Sequence, residues 1–241
     1  MRMIFATNLH VFLDTFAQKK GGVMIWDKFS RVYDLVENSF NGKVNEDFSS
    51  KVAGMINSSD EVLECACGTG IISEKIAPKC KLIVATDYSE GMLQQIRKKC
   101  AKFRNITFHR VDIMQLPYND ASFDKVVAGN VIHLLDKPQE AISELCRVCK
   151  DGGKVIIPTY VAPHRSKSVS WFLQLLRWLG FDFKRTFTYE EYKDFFRSMG
   201  YDGVEYTISN GRMPCAIAVL KKDVLSQLLA AQAYGISWMM S

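Results

Sequence analysis

The stretch Val62-Leu63-Glu64-Cys65-Ala66-Cys67-Gly68-Thr69-Gly70 decides the fold. It joins a short apolar strand to a turn that contains two glycines, and a helical segment that ends near Ala77 follows. Glycine lets the backbone turn tightly and approach a ligand closely. A strand, a glycine turn and a helix in this order are typical of α/β sheets that bind a ligand at the end of the first strand. The stretch therefore predicts a ligand site at that point.

Strands and helices alternate on the carboxyl side of this stretch. Four further strands are predicted at 82–87, 106–111, 123–128 and 154–157. Such alternation predicts βαβ units and a mostly parallel sheet. Two final strands, at 203–208 and 216–220, are separated by a short turn, so we expect them to pair antiparallel. The predicted fold class is α/β, a Rossmann-like doubly wound sheet.

Polar residues stand where four of the predicted strands end. They are Glu64, Asp87, Asp112 and Asn130. Open α/β sheets bind ligands at the carboxyl ends of their strands, so we expect these side chains around one ligand. The carboxylate of Asp87 can accept hydrogen bonds from two adjacent ribose hydroxyls. Asp112 could bind the exocyclic amine of an adenine whose face Ile113 covers, and Asn130 could meet the remaining portion of the ligand.

Two ligand classes use a glycine turn of this kind. Dinucleotide-binding turns read G-x-G-x-x-G and hold a pyrophosphate at a helix N-terminus. Gly68 and Gly70 fit that pattern, but Ser73 occupies its third position. An ionised Glu64 beside the ligand would repel a pyrophosphate and attract the ammonium and sulfonium groups of S-adenosylmethionine. The sequence therefore favours S-adenosylmethionine over a nicotinamide dinucleotide.

Residues 62–154 resemble the class I S-adenosylmethionine-dependent methyltransferases, in the branch of the ubiquinone and menaquinone biosynthesis methyltransferases. The segment from Glu64 to Gly70 is similar to the first motif of that family, and Asp87-Tyr88-Ser89-Glu90-Gly91-Met92-Leu93 resembles its D-x-S-x-x-M-L motif. The resemblance continues, more loosely, over roughly residues 25–221. It implies a seven-stranded, mostly parallel sheet with a reversed C-terminal hairpin.

Shorter segments carry the rest of the resemblance. Asp112-Ile113, Leu116-Pro117 and Phe123-Asp124 match the third segment of the family. Lys150-Asp151-Gly152-Gly153 resembles its L-K-P-G-G turn, with aspartate in place of proline. Cys65 and Cys67 depart from the small residues usual in the first motif, which affects the detail of that loop and not the class.

The chain is expected to divide into three segments. A methyltransferase domain (24–221) lies between an N-terminal extension (1–23), which ends in the flexible break Lys19-Lys20-Gly21-Gly22, and a C-terminal tail (222–241). Residues 160–187 are expected to form a lid-like insertion after the fifth strand. This insertion is rich in aromatic side chains, namely Trp171, Phe172, Trp178 and Phe181. We expect it to cover the mouth of the site and to contact an apolar or lipid-like acceptor.

The predicted cofactor site combines the strand-end residues with their neighbours in the motifs. Its members are Glu64, Cys65, Gly68, Gly70, Asp87, Tyr88, Met92, Asp112, Ile113 and Asn130. Two further residues are candidates for a catalytic role. The resemblance implies that Tyr33 closes over the donor or the substrate, although it also fits a core aromatic. His133 follows the fourth strand and could act as a base or line the acceptor pocket, or simply begin a helix.

The predicted function is methyl transfer from S-adenosylmethionine to a small-molecule or lipid-like acceptor. The sulfonium is already activated, so the protein mainly aligns donor and nucleophile and excludes water. Three alternatives stay open. They are a nicotinamide-dependent oxidoreductase, a protein that binds S-adenosylmethionine without catalysis, and an arsenite methyltransferase that uses the cysteine thiols.

The composition of the chain limits the classes of protein to which it can belong. The chain has 241 residues, of which 48% are apolar and 24% charged, with a net charge of +5. These values suit one soluble α/β domain, and the mild positive charge is not typical of a nucleic-acid-binding protein. No apolar run is long enough to span a bilayer, and polar residues interrupt the apolar N-terminus. We therefore expect no nucleic acid partner, no transmembrane segment, no signal peptide and a cytoplasmic location.

Seven cysteines occur in the chain, and most of them lie within apolar runs. An odd number in a chain of this length suits reduced core thiols. Cys146-Arg-Val-Cys149 has the spacing of half a zinc site, but no second pair of ligands stands at metal-binding spacing. The sequence therefore predicts a structural role for this pair and no metal site.

Overall fold

The computed structural model describes residues 22–162 and 184–222, and within the first helix it leaves the side chains of 22–25, 28–29 and 31–39 undescribed. Most of the predicted N-terminal extension, insertion and tail therefore lies outside the described residues. The aromatic side chains that suggested an acceptor-contacting insertion lie outside them as well. The division of the chain into these segments stays a prediction.

Seven strands form the sheet of the described chain. They are β1 (Glu61–Cys65), β2 (Leu82–Asp87), β3 (Ile106–Arg110), β4 (Phe123–Ala128), β5 (Cys149–Tyr160), β6 (Glu205–Ser209) and β7 (Cys215–Lys221). The helices of the described ranges are α1 (Gly22–Ala53), α2 (Ser73–Ile76), α3 (Glu90–Lys99), α4 (Pro138–Val148) and α5 (Tyr189–Ser198), with a 3-10 turn at Ile132–Leu134. None of the described helices has the length and apolarity needed to cross a bilayer.

The strands lie in the order β3-β2-β1-β4-β5-β7-β6. The first five in this order run parallel, whereas β7 is antiparallel to both of its neighbours, β5 and β6. The predicted Rossmann-like sheet with a reversed C-terminal hairpin is therefore confirmed. The chain winds outward from β1 to β3 and then returns to β4 on the other side of β1. Ligands bind such sheets at this reversal of direction.

The sheet is covered on both faces because neighbouring side chains of a strand point to opposite sides. Leu63 packs in the cluster that includes buried residues of α4 and α5. Val62 packs in the other cluster, with residues of α1, α2 and α3. Both side chains are fully buried, so β1 lies at the centre of the core.

The strand β5 begins earlier than the sequence predicted. Residues 150–153, predicted as a turn, lie within this strand and pair irregularly with β4. Gly152 has a φ of 76°, and a Cβ on Gly153 would lie 2.7 Å from the Asp124 carbonyl oxygen. The two glycines therefore form a bulge inside the strand rather than a loop before it.

The helix α1 bends at Asn41, where φ is −135° and ψ is 17°. The side chain of Asn41 donates a hydrogen bond from Nδ2 to the Met213 carbonyl oxygen at 2.8 Å. The spacing of apolar residues, which begins at Trp26, predicts one helix over 26–40 and a second over 46–56, on either side of this position. The second half of α1 packs Val44 and Phe48 into the core, and the first half extends toward the N-terminus of α3.

Candidate cofactor site

A cavity of about 730 Å³ opens at the carboxyl ends of β1, β2, β3 and β4. Seven of the ten predicted cofactor residues line it: Gly68, Asp87, Tyr88, Met92, Asp112, Ile113 and Asn130. The structure thus brings together residues from four separate strand ends. Glu64, Cys65 and Gly70 are not among the lining residues. The binding role of all ten stays a prediction.

The loop after β1 turns through three residues with positive φ: Ala66 (52°), Gly68 (54°) and Gly70 (88°). A Cβ on Gly70 would lie 2.6 Å from Cγ1 of Ile96. Glycine at this position therefore permits the loop to pack against α3. Gly68 has no such neighbour, and its backbone faces the cavity side of the loop.

Glu64 lies in the packed interior. Its side chain is 1% exposed, and Oε2 accepts a hydrogen bond from the Ser73 hydroxyl. Burial raises the pKa of Glu64 to about 8, so the carboxyl is largely protonated at neutral pH. The expectation of an ionised Glu64 beside the donor is therefore wrong. A largely neutral, buried carboxyl neither repels a pyrophosphate nor attracts a sulfonium strongly.

Asp87 joins two loops of the site. Its Oδ2 accepts a hydrogen bond from the Gly68 backbone N–H at 2.8 Å, and its Oδ1 accepts one from the Ser89 backbone N–H at 2.8 Å. Burial raises the pKa of Asp87 above its ordinary value, while these backbone hydrogen bonds oppose the shift. Each carboxylate oxygen has a further lone pair, so two ribose hydroxyls could be accommodated.

The wall after β3 is mostly apolar. Ile113 is 8% exposed, and Val111 and Met114 line the cavity beside it. The exposed carboxylate of Asp112 accepts a hydrogen bond from the Met114 backbone N–H at 2.9 Å through Oδ1. The ring of the half-exposed Tyr88 has the cationic guanidinium of Arg110 over it, 5.4 Å from its centroid. This wall can therefore hold a flat ring with a polar edge.

Asn130 connects the ends of β4 and β5. Its Oδ1 accepts a hydrogen bond from the Tyr160 backbone N–H at 3.0 Å, and its own N–H donates to the Pro158 carbonyl oxygen at 2.8 Å. It adopts a φ of 53°. A Cβ on the preceding Gly129 would lie 2.5 Å from Cδ1 of Ile72, so a larger residue would require the Ile72 side chain to move. The side-chain oxygen of Asn130 therefore already accepts a hydrogen bond that joins the ends of β4 and β5.

His133 and Tyr33 are the two candidates for a catalytic role. His133 lies on the 3-10 turn beside the cavity but is not one of its lining residues. Burial lowers the pKa of His133 to about 4, so its imidazole is neutral at pH 7 and would be a weak base. The backbone of Tyr33 belongs to α1, but its side chain lies outside the described ones. Its role stays a prediction.

Several lining residues were not predicted as site residues. Trp26 comes from α1, and Leu134, Leu135, Asp136 and Lys137 come from the segment after β4. The apolar periodicity of α1 gave Trp26 the same pattern as a core residue. The segment after β4 carries no spacing that distinguishes it from an ordinary loop.

All seven cysteines are buried, and none of them forms a disulfide bond. Burial raises the pKa of Cys65 to about 12, of Cys146 to about 11 and of Cys149 to about 12. These thiols are therefore protonated at neutral pH, and thiolates are the form that binds metals and arsenic. Within the described ranges, no group of three or more His, Cys, Asp or Glu residues could hold a metal ion. The geometry gives no support to a thiol-based reaction.

Comparison with known proteins finds methyltransferases. Residues 63–157 match a family model described as a methyltransferase domain. The demethylmenaquinone methyltransferase of Clavibacter sepedonicus is 35% identical over 104 residues, which cover 43% of this chain and 42% of that protein. The phosphatidylethanolamine N-methyltransferase of Cereibacter sphaeroides is 29% identical over 169 residues, which cover 63% of this chain and 80% of that protein. The chain thus spans less than half the length of the first relative.

A solved structure shares the fold. It is a SAM-dependent methyltransferase of Thermotoga maritima, described as a possible histamine N-methyltransferase. It superimposes with a TM-score of 0.62 at 20% sequence identity, over 83% of this chain and 99% of that one. This likeness establishes the architecture around the cavity.

Proposed function

We propose that this chain, which contains a class I S-adenosylmethionine-dependent methyltransferase domain, transfers the methyl group of S-adenosylmethionine to a lipid-like small molecule. The observation that carries the proposal is the single cavity that gathers Gly68, Asp87, Asp112 and Asn130 from four strand ends. The match to a methyltransferase domain supports S-adenosylmethionine as the methyl donor, and the cavity has room for it. The acceptor and the contacts made by the donor are the proposed part.

The donor is proposed to lie with its adenosine along the ends of β2 and β3. Asp87 accepts hydrogen bonds from the ribose hydroxyls, since its carboxylate faces the cavity and keeps free lone pairs. Asp112 accepts one from the adenine amine, and Ile113 and Met92 pack against the ring. The methionine portion extends toward Gly68 and the end of β4. This arrangement puts the sulfonium near the centre of the row of strand ends.

Methyl transfer needs little covalent help from the protein. An electron pair of the acceptor attacks the methyl carbon, the bond from that carbon to sulfur breaks, and S-adenosylhomocysteine leaves with the electron pair of that bond. Where the attacking atom carries a proton, that proton passes to solvent. The reaction is fast when nucleophile, carbon and sulfur are held in line and water is excluded. His133, with its pKa near 4, is a poor proton acceptor. We therefore assign no catalytic base.

The acceptor end of the cavity supports an apolar substrate. Val131, Leu134 and Leu135 line this end, and Met114 lines the neighbouring wall. The two named relatives act, by their descriptions, on demethylmenaquinone and on phosphatidylethanolamine. Both compounds combine a long apolar portion with a smaller head, which is a quinone ring in one and an amine-bearing phosphate group in the other. A lipid-like acceptor is consistent with both observations.

The insertion is proposed to complete the acceptor pocket. Its aromatic residues lie outside the described ranges, but the chain on both sides of it lies beside the cavity. Val161 pairs with Phe187 in a short parallel bridge, and Lys184 forms an ion pair with Asp136 at 3.2 Å. Asp136 lines the cavity. Both ends of the insertion therefore lie at the acceptor end of the cavity, and its aromatic side chains are proposed to contact the acceptor there.

A binding and turnover experiment tests the proposal. Calorimetry should show that S-adenosylhomocysteine binds and that NAD does not. Incubation with S-adenosylmethionine and either a demethylmenaquinone or vesicles that contain phosphatidylethanolamine should then release S-adenosylhomocysteine and give a product heavier by one methyl. Tight NAD binding without S-adenosylhomocysteine binding would replace the proposal with an oxidoreductase. Donor binding without turnover on any lipid-like acceptor would favour a binding protein that does not catalyse.

A further inference from the structure

One side chain of the first helix, that of Asp27, is hydrogen-bonded to the start of α3 beside the cavity. Oδ1 of Asp27 accepts hydrogen bonds from the Ser89 hydroxyl at 2.5 Å and from the Gly91 backbone N–H at 2.9 Å. Ser89 is the N-cap of α3, and its Oγ accepts the Met92 backbone N–H at 3.2 Å. Asp27 thus extends the cap of α3, at the helix end where a negative charge is stabilising.

The two helices touch backbone to backbone at this point. A Cβ on Gly91 would lie 2.6 Å from Cα of Asp27 and 2.7 Å from its carbonyl oxygen. Only glycine allows so close an approach without movement of one helix. The contact between α1 and α3 therefore depends on a carboxylate from one helix and a missing side chain on the other.

This contact lies beside the proposed position of the donor ribose. Ser89 follows Asp87 by two residues, and both line the cavity. Trp26, the residue before Asp27, is half-buried and lines the same cavity. Asp27 itself is not one of the lining residues. The hydrogen bonds of Asp27 therefore fix the position of a neighbour that can touch the ligand.

We propose that Asp27 is a positioning residue that holds Trp26 over the adenosine end of the donor cavity. The inference rests on the proposed function, because it takes S-adenosylmethionine as the ligand. An indole packed over this end would contact the nucleoside and keep water from the hydrogen bonds between Asp87 and the ribose. Such hydrogen bonds are stronger in a water-poor environment than in an open one. Asp27 touches no part of the ligand and acts only through α1.

Calorimetric titration with S-adenosylhomocysteine tests the inference. Asp27→Ala should weaken binding by about tenfold, since the helix loses its connection to α3. Asp27→Asn should retain most of the affinity because its amide oxygen can still accept both hydrogen bonds. Gly91→Ala should weaken binding as Asp27→Ala does, because its methyl group pushes α1 away. Asp47→Ala, which removes an exposed aspartate paired with Lys51 on the same helix, is the matched control and should bind as the wild type does.

A double-mutant cycle separates positioning from general stabilisation. Trp26→Ala should weaken binding about as much as Asp27→Ala does, and the double variant should bind no more weakly than either single variant. This non-additivity is expected when one residue acts through the other. Trp26→Phe should restore most of the affinity. Thermal melting of each variant shows whether it is folded.

The outcomes distinguish this inference from the proposed function. If the wild type does not bind S-adenosylhomocysteine, the proposed function fails and the inference fails with it. If the wild type binds and Asp27→Ala binds equally well, only the inference is overturned. The same holds if the Asp27 and Trp26 effects simply add, because Asp27 would then act independently of the indole. Equal weakening by Asp27→Ala and Gly91→Ala, with a silent Asp47→Ala, supports it.

Discussion

The backbone N–H of Gly68 donates a hydrogen bond to Oδ2 of Asp87 at 2.8 Å, so the turn after β1 is tied to the end of β2. The carboxylate proposed to bind the donor ribose is thus the same one that shapes the glycine turn. The proposed ligand contact and the structural contact therefore use different lone pairs of the same side chain. Substitution of Asp87 is expected to affect both, and the choice of variant can separate them.

Asp87→Ala should weaken S-adenosylhomocysteine binding by about tenfold or more, because buried hydroxyls lose their acceptor at a cost of about 1–3 kcal/mol. Asp87→Asn should also bind weakly, since its amide nitrogen would face a backbone N–H. Titration calorimetry measures the effect, and Asp202→Asn at an exposed position is the control. A folded Asp87→Ala protein with wild-type affinity would remove this residue from the donor site.

Glu64 should make the stability of the protein depend on pH. Its folded pKa is about 8, against an ordinary value of 4.5, so the folded state keeps a proton that the unfolded chain releases between these values. The contribution of this group to stability is therefore complete below pH 4.5 and is lost as the pH rises toward 8. In Glu64→Gln the free energy of unfolding should change less over this interval, by about 4 kcal/mol.

Urea denaturation of both proteins at the two ends of the interval measures this difference. Glu64→Gln is a suitable variant because its side-chain oxygen can still accept the hydrogen bond of Ser73. Other titrating groups are common to the two proteins and cancel in the comparison. Parallel pH profiles of wild type and variant would mean that Glu64 is ionised in the folded state.

The cysteines should be unreactive while the protein is folded. Each thiol is buried, and burial raises the pKa of Cys65 to about 12, so little thiolate exists at neutral pH. Ellman's reagent should label the native protein slowly and should label seven thiols after denaturation. A thiol that reacts in the folded protein at the rate of a free cysteine would contradict this and reopen the thiol-based alternative.

The insertion between β5 and α5 carries a prediction made from the sequence. If its aromatic residues contact the acceptor, Trp171→Ala and Phe172→Ala should lower turnover while S-adenosylhomocysteine affinity stays near that of the wild type. If the two side chains belong instead to a core, each change should cost about 3–5 kcal/mol and lower the melting temperature sharply. Melting curves recorded beside a donor titration separate the two cases.

The strand pattern was predictable because it is a local property of the sequence. Short apolar runs such as 82–87 and 123–128 alternate with helical segments, and the parallel sheet follows from that order. The resemblance to class I methyltransferases is confirmed by the family match over 63–157. The clustering of strand-end residues followed as well, since parallel strands end at the same edge of a sheet.

Long-range packing could not be predicted in the same way. Glu64 stands at a strand end, where an ionised side chain was expected, but only the folded core shows that Ser73 covers it and that it is largely neutral. Trp26 had the spacing of a core residue. Its place in the cavity depends on a contact between α1 and α3, 62 to 64 positions apart in the chain, which no local pattern encodes.

The hydrogen bond between Asn41 and Met213 also has a consequence for when the contacts of α1 can form during synthesis. The two residues are 172 positions apart, and Asn41 marks the bend from which α1 runs back to the donor cavity. Because α1 is synthesised before the loop between β6 and β7, this hydrogen bond can form only after the chain has been made as far as Met213. Until then, the bend in the helix that carries Trp26 lacks the hydrogen bond that joins it to that loop.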